Sequence, residues 1–270
     1  MNAKAGAIVA EQEENQMTVV QRAELDVQIS TAKAYPRVAR KCLDNAVMIA
    51  TMNKEIAESC IYSLPRSNKD ITGPSVRLAE IVMSEWGNIH AGYRVLHADQ
   101  KHVHSEAVVW DLEKNNRITA QVARKILDKD GKRYSEDMVT TTGSAGSSIA
   151  LRNALFRIIP KSITETVLLA VKDYLKGGTS KQMQEKITIG LAWLAKAGLP
   201  ENEVLKLLGK QEVSDLDGDD YLYLLGIKNS LVDGFLTKEQ ILGNEPIDGE
   251  DEGMTKGDQI MSKLKKRGKK

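Results

Sequence analysis

The sequence predicts an α+β fold: an antiparallel three-stranded β-meander with helices packed on it, followed by a small C-terminal helical module. Three observations carry this. The runs Ile89–His97, Val103–Leu112 and Asn116–Leu127 are rich in Val, Ile, His, Tyr and Thr and partly alternate, as half-buried strands do. Their connections, Ala98-Asp99-Gln100 and Glu113-Lys114-Asn115, are too short for a crossover helix, so neighbouring strands must run antiparallel. Apolar residues at helical spacing lie on both sides of these runs, and Gly177-Gly178-Thr179-Ser180 reads as a linker into a purely helical stretch.

Taken in order, residues 1–22 are polar and aperiodic and are expected to be disordered. From Ala23 to about Met52, Val38, Cys42, Leu43, Ala46, Val47, Ile49 and Ala50 recur at helical spacing, with Tyr35-Pro36 as punctuation. A short helix is expected over Lys54–Tyr62, then a polar loop from Leu64 to Asp70. Pro74 opens a further helix through about Trp86, which Gly87-Asn88 stops. After the strands, Asp128-Lys129-Asp130-Gly131 is a turn. Thr140–Gly146 reads as a Gly/Ser loop leading into a helix over Ser147–Ile159, ended by Pro160. A helix over Ser162–Leu175 follows. Beyond the linker, Lys181–Leu208 is helical with a break at Gly198-Leu199-Pro200, and Asp220–Val232 and Leu236–Leu242 are helical too. Residues 244–270 form a charged tail, acidic first and basic at its end.

The expected division is a domain over residues 23–178 and a helical module over 181–243. With 41% hydrophobic and 28% charged residues and no run of about 18 apolar residues, the chain reads as a soluble protein without a membrane span. The N-terminus lacks a signal-peptide pattern, and Cys42 and Cys60 read as buried thiols of a reducing, cytoplasmic compartment. Net charge divides unevenly: residues 1–180 hold 24 Lys+Arg against 21 Asp+Glu, and residues 181–270 hold 14 against 16.

Nothing in the motifs points to catalysis or to a bound cofactor. There is no phosphate loop, no nucleophile elbow and no HExxH. His102 and His104 share one face of a strand, but no neighbouring Cys or carboxylate cluster completes a metal site, so they read as exposed strand residues. Asp215, Asp217 and Asp219 suggest a calcium loop, yet Gly218 is displaced and Gly226 stands where a bidentate Glu is needed. Helix capping accounts for them better.

Basic residues are the more informative set. Lys114, Arg117, Arg124, Lys125, Lys129, Lys132 and Arg133 surround one strand and its turn, and a basic hairpin tip can contact a phosphate backbone. A solvated hairpin explains them equally well. Arg117 and Lys125 have the same strand parity and Arg124 the opposite. Arg152, Arg157 and Lys161 form a second set on and after the helix that follows the Gly/Ser loop. That loop's backbone N–H groups are candidates for a phosphate at a helix N-terminus. Arg66, Lys69 and Arg77 form a third set. Trp86, Tyr93 and Trp110 are candidates for base stacking, although each is also a natural core residue.

Ile71-Thr-Gly-Pro-Ser-Val-Arg-Leu-Ala-Glu80 followed by Trp86-Gly-Asn88, the strand Val108–Glu113, and Ser148-Ile-Ala-Leu-Arg-Asn-Ala-Leu-Phe-Arg-Ile-Ile-Pro160 resemble the RecT/Bet group of phage single-strand annealing proteins. The resemblance covers about residues 25–175. Asn153 departs from it, since a second adjacent Arg is common there. It implies a β-β-β-α core, a homo-oligomeric ring or filament, and single-stranded DNA and its annealed duplex in a basic groove. It also implies a C-terminal module that binds a phage exonuclease or a host single-strand binding protein. The expected activity is ATP-independent annealing in recombination inside a bacterial cell, with Arg66, Lys69, Arg77, Arg117, Arg124, Lys125, Arg152, Arg157 and Lys161 on the DNA backbone. The alternative is a passive single-strand binding or end-protecting protein.

Overall fold

A computed structural model describes residues 19–65, 71–128 and 130–243; the charged tail over 244–270 lies outside the described residues. At the centre is the meander β3 (Ile89–Ala98), β4 (His102–Asp111) and β5 (Asn116–Lys125), three antiparallel strands in sequence order. The α+β reading with an antiparallel three-stranded sheet packed against helices is therefore correct. Along β4, Val103, Ser105, Ala107, Val109 and Asp111 are buried while the intervening residues are not, so only one face of the sheet meets the core. The register between β4 and β5 is unbroken from Asp111↔Asn116 to His102↔Lys125, and β3 carries one irregularity between Val95 and His97.

A 23-residue helix, α5 (Glu136–Ile158), lies on the buried face. It runs straight through Thr140–Gly146, where the sequence reads as a loop. Thr140, Thr141, Thr142, Ser144 and Ser148 each donate a hydroxyl to the carbonyl four residues back, which removes their competition with the helical backbone. The glycines are required by closeness. A Cβ on Gly146 would lie 2.9 Å from Ser105 Oγ, and one on Gly143 would lie 3.0 Å from Val95 Cγ2. Tertiary burial of a smooth face outweighs weak helix propensity. This also moves the helix N-terminus: Ser135 caps α5 and Glu136 and Asp137 fill its first turn, so the Gly/Ser segment is no anion cradle.

The remaining helices surround this unit. An N-terminal helix, α1, covers residues 19–34, so residues 19–22 are helical where disorder is expected. Pro36 lies between it and α2 (Ala39–Ala50). The connector is anchored by Arg37, whose guanidinium donates to both Asp111 oxygens at 2.6 and 2.7 Å and stacks over Trp86. The helix α3 (Lys54–Ser59) stops before Tyr62. Ile61 begins β1 (Ile61–Leu64), which pairs with β2 (Ile71–Pro74) in a hairpin not foreseen in the sequence. Ser75 then caps α4 (Val76–Trp86).

Pro160 precedes α6 (Lys161–Lys176), and the helical stretch beyond it resolves into α7 (Ser180–Lys196), α8 (Glu201–Leu208), α9 (Gly218–Val232) and α10 (Lys238–Ile241). Asp217 caps α9 by accepting from the N–H groups of Asp219 and Asp220, the capping role expected for these acids. Across residues 177–180 the apolar core is continuous: Ile187, Leu191, Leu194, Leu222, Leu224 and Ile241 belong to the same buried cluster as Ile61, Leu78 and Leu155. The tightest seam is α9 on β1. Asn229 donates to the carbonyls of Glu58 and Ile61, Ser230 donates to Ser63 O, and Gly226 lies against the β1 backbone. No described helix is long and apolar enough to cross a membrane.

Candidate nucleic-acid interface

The second face of the meander carries the densest set of exposed polar side chains in the β-sheet. Across the register, its rows are His90, Trp110 and Arg117, then Gly92, Val108 and Thr119, then Arg94, Glu106 and Gln121, then His97, His104 and Ala123, and last His102 opposite Lys125. None of these residues is buried. Strand periodicity explains the grouping, because every second residue of three long strands points the same way. Glu106 is the one acid among these rows. It accepts from Arg94 and from Gln121 at 3.0 Å, and the Gln121 amide and Arg94 guanidinium hold its carboxyl below the usual range.

At one end of this face, α1 leans over the strands and closes an open groove of about 770 Å³. Leu25, His90, Arg94, Val108, Trp110 and Arg117 line it, and Gln28 Oε1 lies 3.0 Å from His90 Nδ1. Trp110 is half-buried here and stands outside the apolar core, its indole N–H donating to Asn115 Oδ1 at 3.2 Å. That bond and the flanking strands fix the ring plane. The arrangement offers an aromatic surface with the Arg117 guanidinium beside it and Arg94 two rows further along the groove, which suits an unpaired base and its phosphates.

At the other end, His97 stacks on His104 with ring centres 4.5 Å apart, and His102 meets His104 edge-on. Asp99 accepts from the backbone N–H groups of Lys101 and His102 and pairs with His104, and these contacts hold its carboxyl well below the usual range. Arg133 reaches from the turn after β5 to the Asp99 carbonyl. The two turns thus share one tip. Among the described residues no group of three His, Cys, Asp or Glu is arranged to hold a metal ion.

The nine expected DNA-contact residues do not form one patch. Arg117 and Lys125 lie on the open face, eight residues apart, about 27 Å along a strand. Arg157 and Lys161 are exposed at the junction of α5 and α6, with Lys161 paired to Glu165. Arg77 is exposed on α4 and paired to Glu80. Arg66 and Lys69 lie outside the described residues, as does Lys129. Two need correction as surface contacts. Arg124 is 7% exposed and points to the helix side, as its parity requires, with Nη2 3.5 Å from the Gly234 carbonyl. Arg152 is half-buried, its guanidinium 4.3 Å from the Tyr62 ring and 5.9 Å from the Phe235 ring.

Two of these arginines, from β5 and α5, therefore approach one turn, Asp233-Gly234-Phe235. Burial raises the Asp233 carboxyl, and the Arg77 charge pulls it back down. Phe235 is 4% exposed and packs with Val76, Ala145 and Ile149 in a cluster separate from the main core. Beside it, a cavity of about 210 Å³ is lined by Arg124, Lys125, Tyr134, Thr141, Gly234 and Gln240.

Arg94 belongs to none of the basic sets that the sequence singles out, yet it lies at the centre of the open face. Trp110, a stacking candidate that could equally have been core, faces outward. Parity along β4 carries the signal, since Trp110 falls in step with His102, His104 and Glu106 and out of step with Val103, Ala107 and Val109. Trp86, by contrast, is buried, and Tyr93 is 61% exposed on the edge strand. Both cysteines are buried, and burial pushes the Cys60 thiol up to about 12. Comparison with family models, with curated proteins and with solved structures finds no match to this chain.

Proposed function

We propose that this protein binds single-stranded DNA and promotes annealing of complementary strands without nucleotide hydrolysis. The observation that carries the reading is the open face of the β3–β4–β5 sheet. It combines Arg94 and Arg117 with the half-exposed Trp110 along one groove, and carries Lys125 on the same face at the far end of β5. The order of three antiparallel strands and one long helix is also the order that the resemblance to the RecT/Bet group implies.

In this reading, cationic side chains neutralise phosphates and release counterions, so binding is salt-sensitive and largely independent of sequence. Arg157 and Lys161 extend the cationic surface beyond the sheet. Two bound strands are brought together on neighbouring subunits, where charge neutralisation removes their repulsion, and base pairing supplies the free energy. Self-association is placed on β3, an edge strand whose Tyr93, Val95 and Leu96 are exposed.

The test is annealing of two complementary labelled oligonucleotides in the absence of nucleotide. Accelerated pairing that disappears in an Arg117→Glu, Arg157→Glu double variant of unchanged circular dichroism is the expected result. Tight, salt-sensitive binding without acceleration would assign the chain instead to passive strand protection. Absence of binding at low salt would overturn the reading.

A further inference from the structure

The cleft of about 210 Å³ beside the 233–235 turn is bordered by Arg124, Lys125 and Leu127 at the end of β5, by Met138 of α5, and by Leu236 and Gln240 around α10. Its charged lining residues are both cations, and no carboxylate is among the described residues that line it. Leu127, Met138 and Leu236 supply its apolar surface. Lys125 belongs to two surfaces at once: it lines this cleft, and it stands opposite His102 at the far end of the open sheet face.

The chain leaves the described fold beside this cleft. Gln240 lines it, and α10 ends at Ile241. At Gly243 a φ of 73° turns the backbone out of the helix, with the Gly243 N–H donating to the Gln240 carbonyl at 3.2 Å. The next residues in the sequence, 244–252, hold the carboxylates of Glu245, Asp248, Glu250, Asp251 and Glu252 and no cation. From Gly243 to Asp248 an extended chain reaches at most roughly 18 Å, enough to cross a cleft that Gln240 itself borders. Glu245 and Asp248 flank Ile247, which complements two cations set beside apolar side chains. We propose that residues 244–252 dock in this cleft of their own chain, with Glu245 and Asp248 against Arg124 and Lys125 and Ile247 against Leu127, Met138 and Leu236. The docked segment competes with DNA for the Lys125 end of the sheet face. This rests on the DNA-binding reading above and adds its regulation. Because the segment is tethered by so few residues, its effective concentration is on the order of millimolar, and weak, salt-screened pairs suffice to hold it. A strand that engages Arg94, Arg117 and Lys125 together displaces it.

The test uses the wild-type full chain. A carbodiimide joins a lysine amine to a carboxylate in direct contact, and peptide mapping identifies the pair. The expected product, formed without DNA, joins Lys125 to Glu245 or Asp248 within one chain. Acids joined only to lysines of residues 253–270, or joined to Lys125 only in cross-linked dimers, would overturn the docking. The reaction is then repeated with an unphosphorylated oligodeoxyadenylate, whose binding is followed by anisotropy. Competition is reciprocal, so the Lys125 product should fall by roughly threefold or more at saturation. An undiminished product with the strand bound would overturn the competition and leave the DNA-binding reading intact. Failure of the strand to bind at low salt would overturn that reading and the competition together, while the product formed without DNA still decides the docking.

Discussion

Gly226→Ala sets two rules of helix energetics against each other. Gly226 sits inside α9, where replacing glycine by alanine ordinarily stabilises a helix by about 1 kcal/mol. Here the added Cβ would fall 2.1 Å from Ser63 Oγ, 2.5 Å from Ser63 N and 2.6 Å from the Tyr62 carbonyl carbon. Two of those atoms are backbone, so the neighbour cannot rotate away and α9 must lift by roughly 1 Å to restore ordinary packing. Overpacking of this kind costs about 1–3 kcal/mol. Lifting α9 also stretches the Asn229 bonds of 2.6 and 2.7 Å and the Ser230 bond of 3.0 Å to the segment around β1, each contributing about 1 kcal/mol. With those bonds lost and the propensity gain subtracted, the net destabilisation is about 3–5 kcal/mol, a fall in Tm of roughly 6–20 °C for a chain of this size. Chemical denaturation of wild type and variant measures it directly. An unchanged or raised Tm would show that α9 does not rest on β1.

Arg37→Met leaves Asp111 and Glu113 beside the core without their cation, and a destabilisation of about 3–5 kcal/mol is expected in urea unfolding. Asp111 is raised by burial but more strongly lowered by the Arg37 guanidinium and by the N–H groups of Lys114 and Glu113, so its folded carboxyl titrates below its unfolded value. The stabilisation is therefore complete above the unfolded value of about 3.9 and disappears as pH falls through the folded one. Asp111→Asn should flatten the acid limb of the stability curve, and an unaltered limb would contradict the pairing. Arg117→Glu should weaken binding to single strands and reduce the slope of log affinity against log salt by about 0.7 for each phosphate that is no longer neutralised. Trp110→Phe should remove most of the fluorescence change on DNA binding, since Trp86 is buried and Trp193 sits apart on α7.

What was determined by local rules was legible in the chain. The three strands, their short turns, the break at Pro160, the cap at Asp217 and the parity that separates Arg124 from Arg117 and Lys125 all follow from period, turn chemistry and capping. These act over a few residues, so the sequence by itself decides them. Tertiary structure decided the rest. Thr140–Gly146 is helical because small residues let α5 approach Ser105 and Val95, an energy that exists only once the sheet is present. The β1–β2 hairpin forms where α9, more than 150 residues later, seats on Ser63. Arg152 and Arg124, identical in chemistry to any surface arginine, are covered because the 233–235 turn folds back over them. Burial is a property of what arrives from elsewhere in the chain, and no local pattern encodes that arrival.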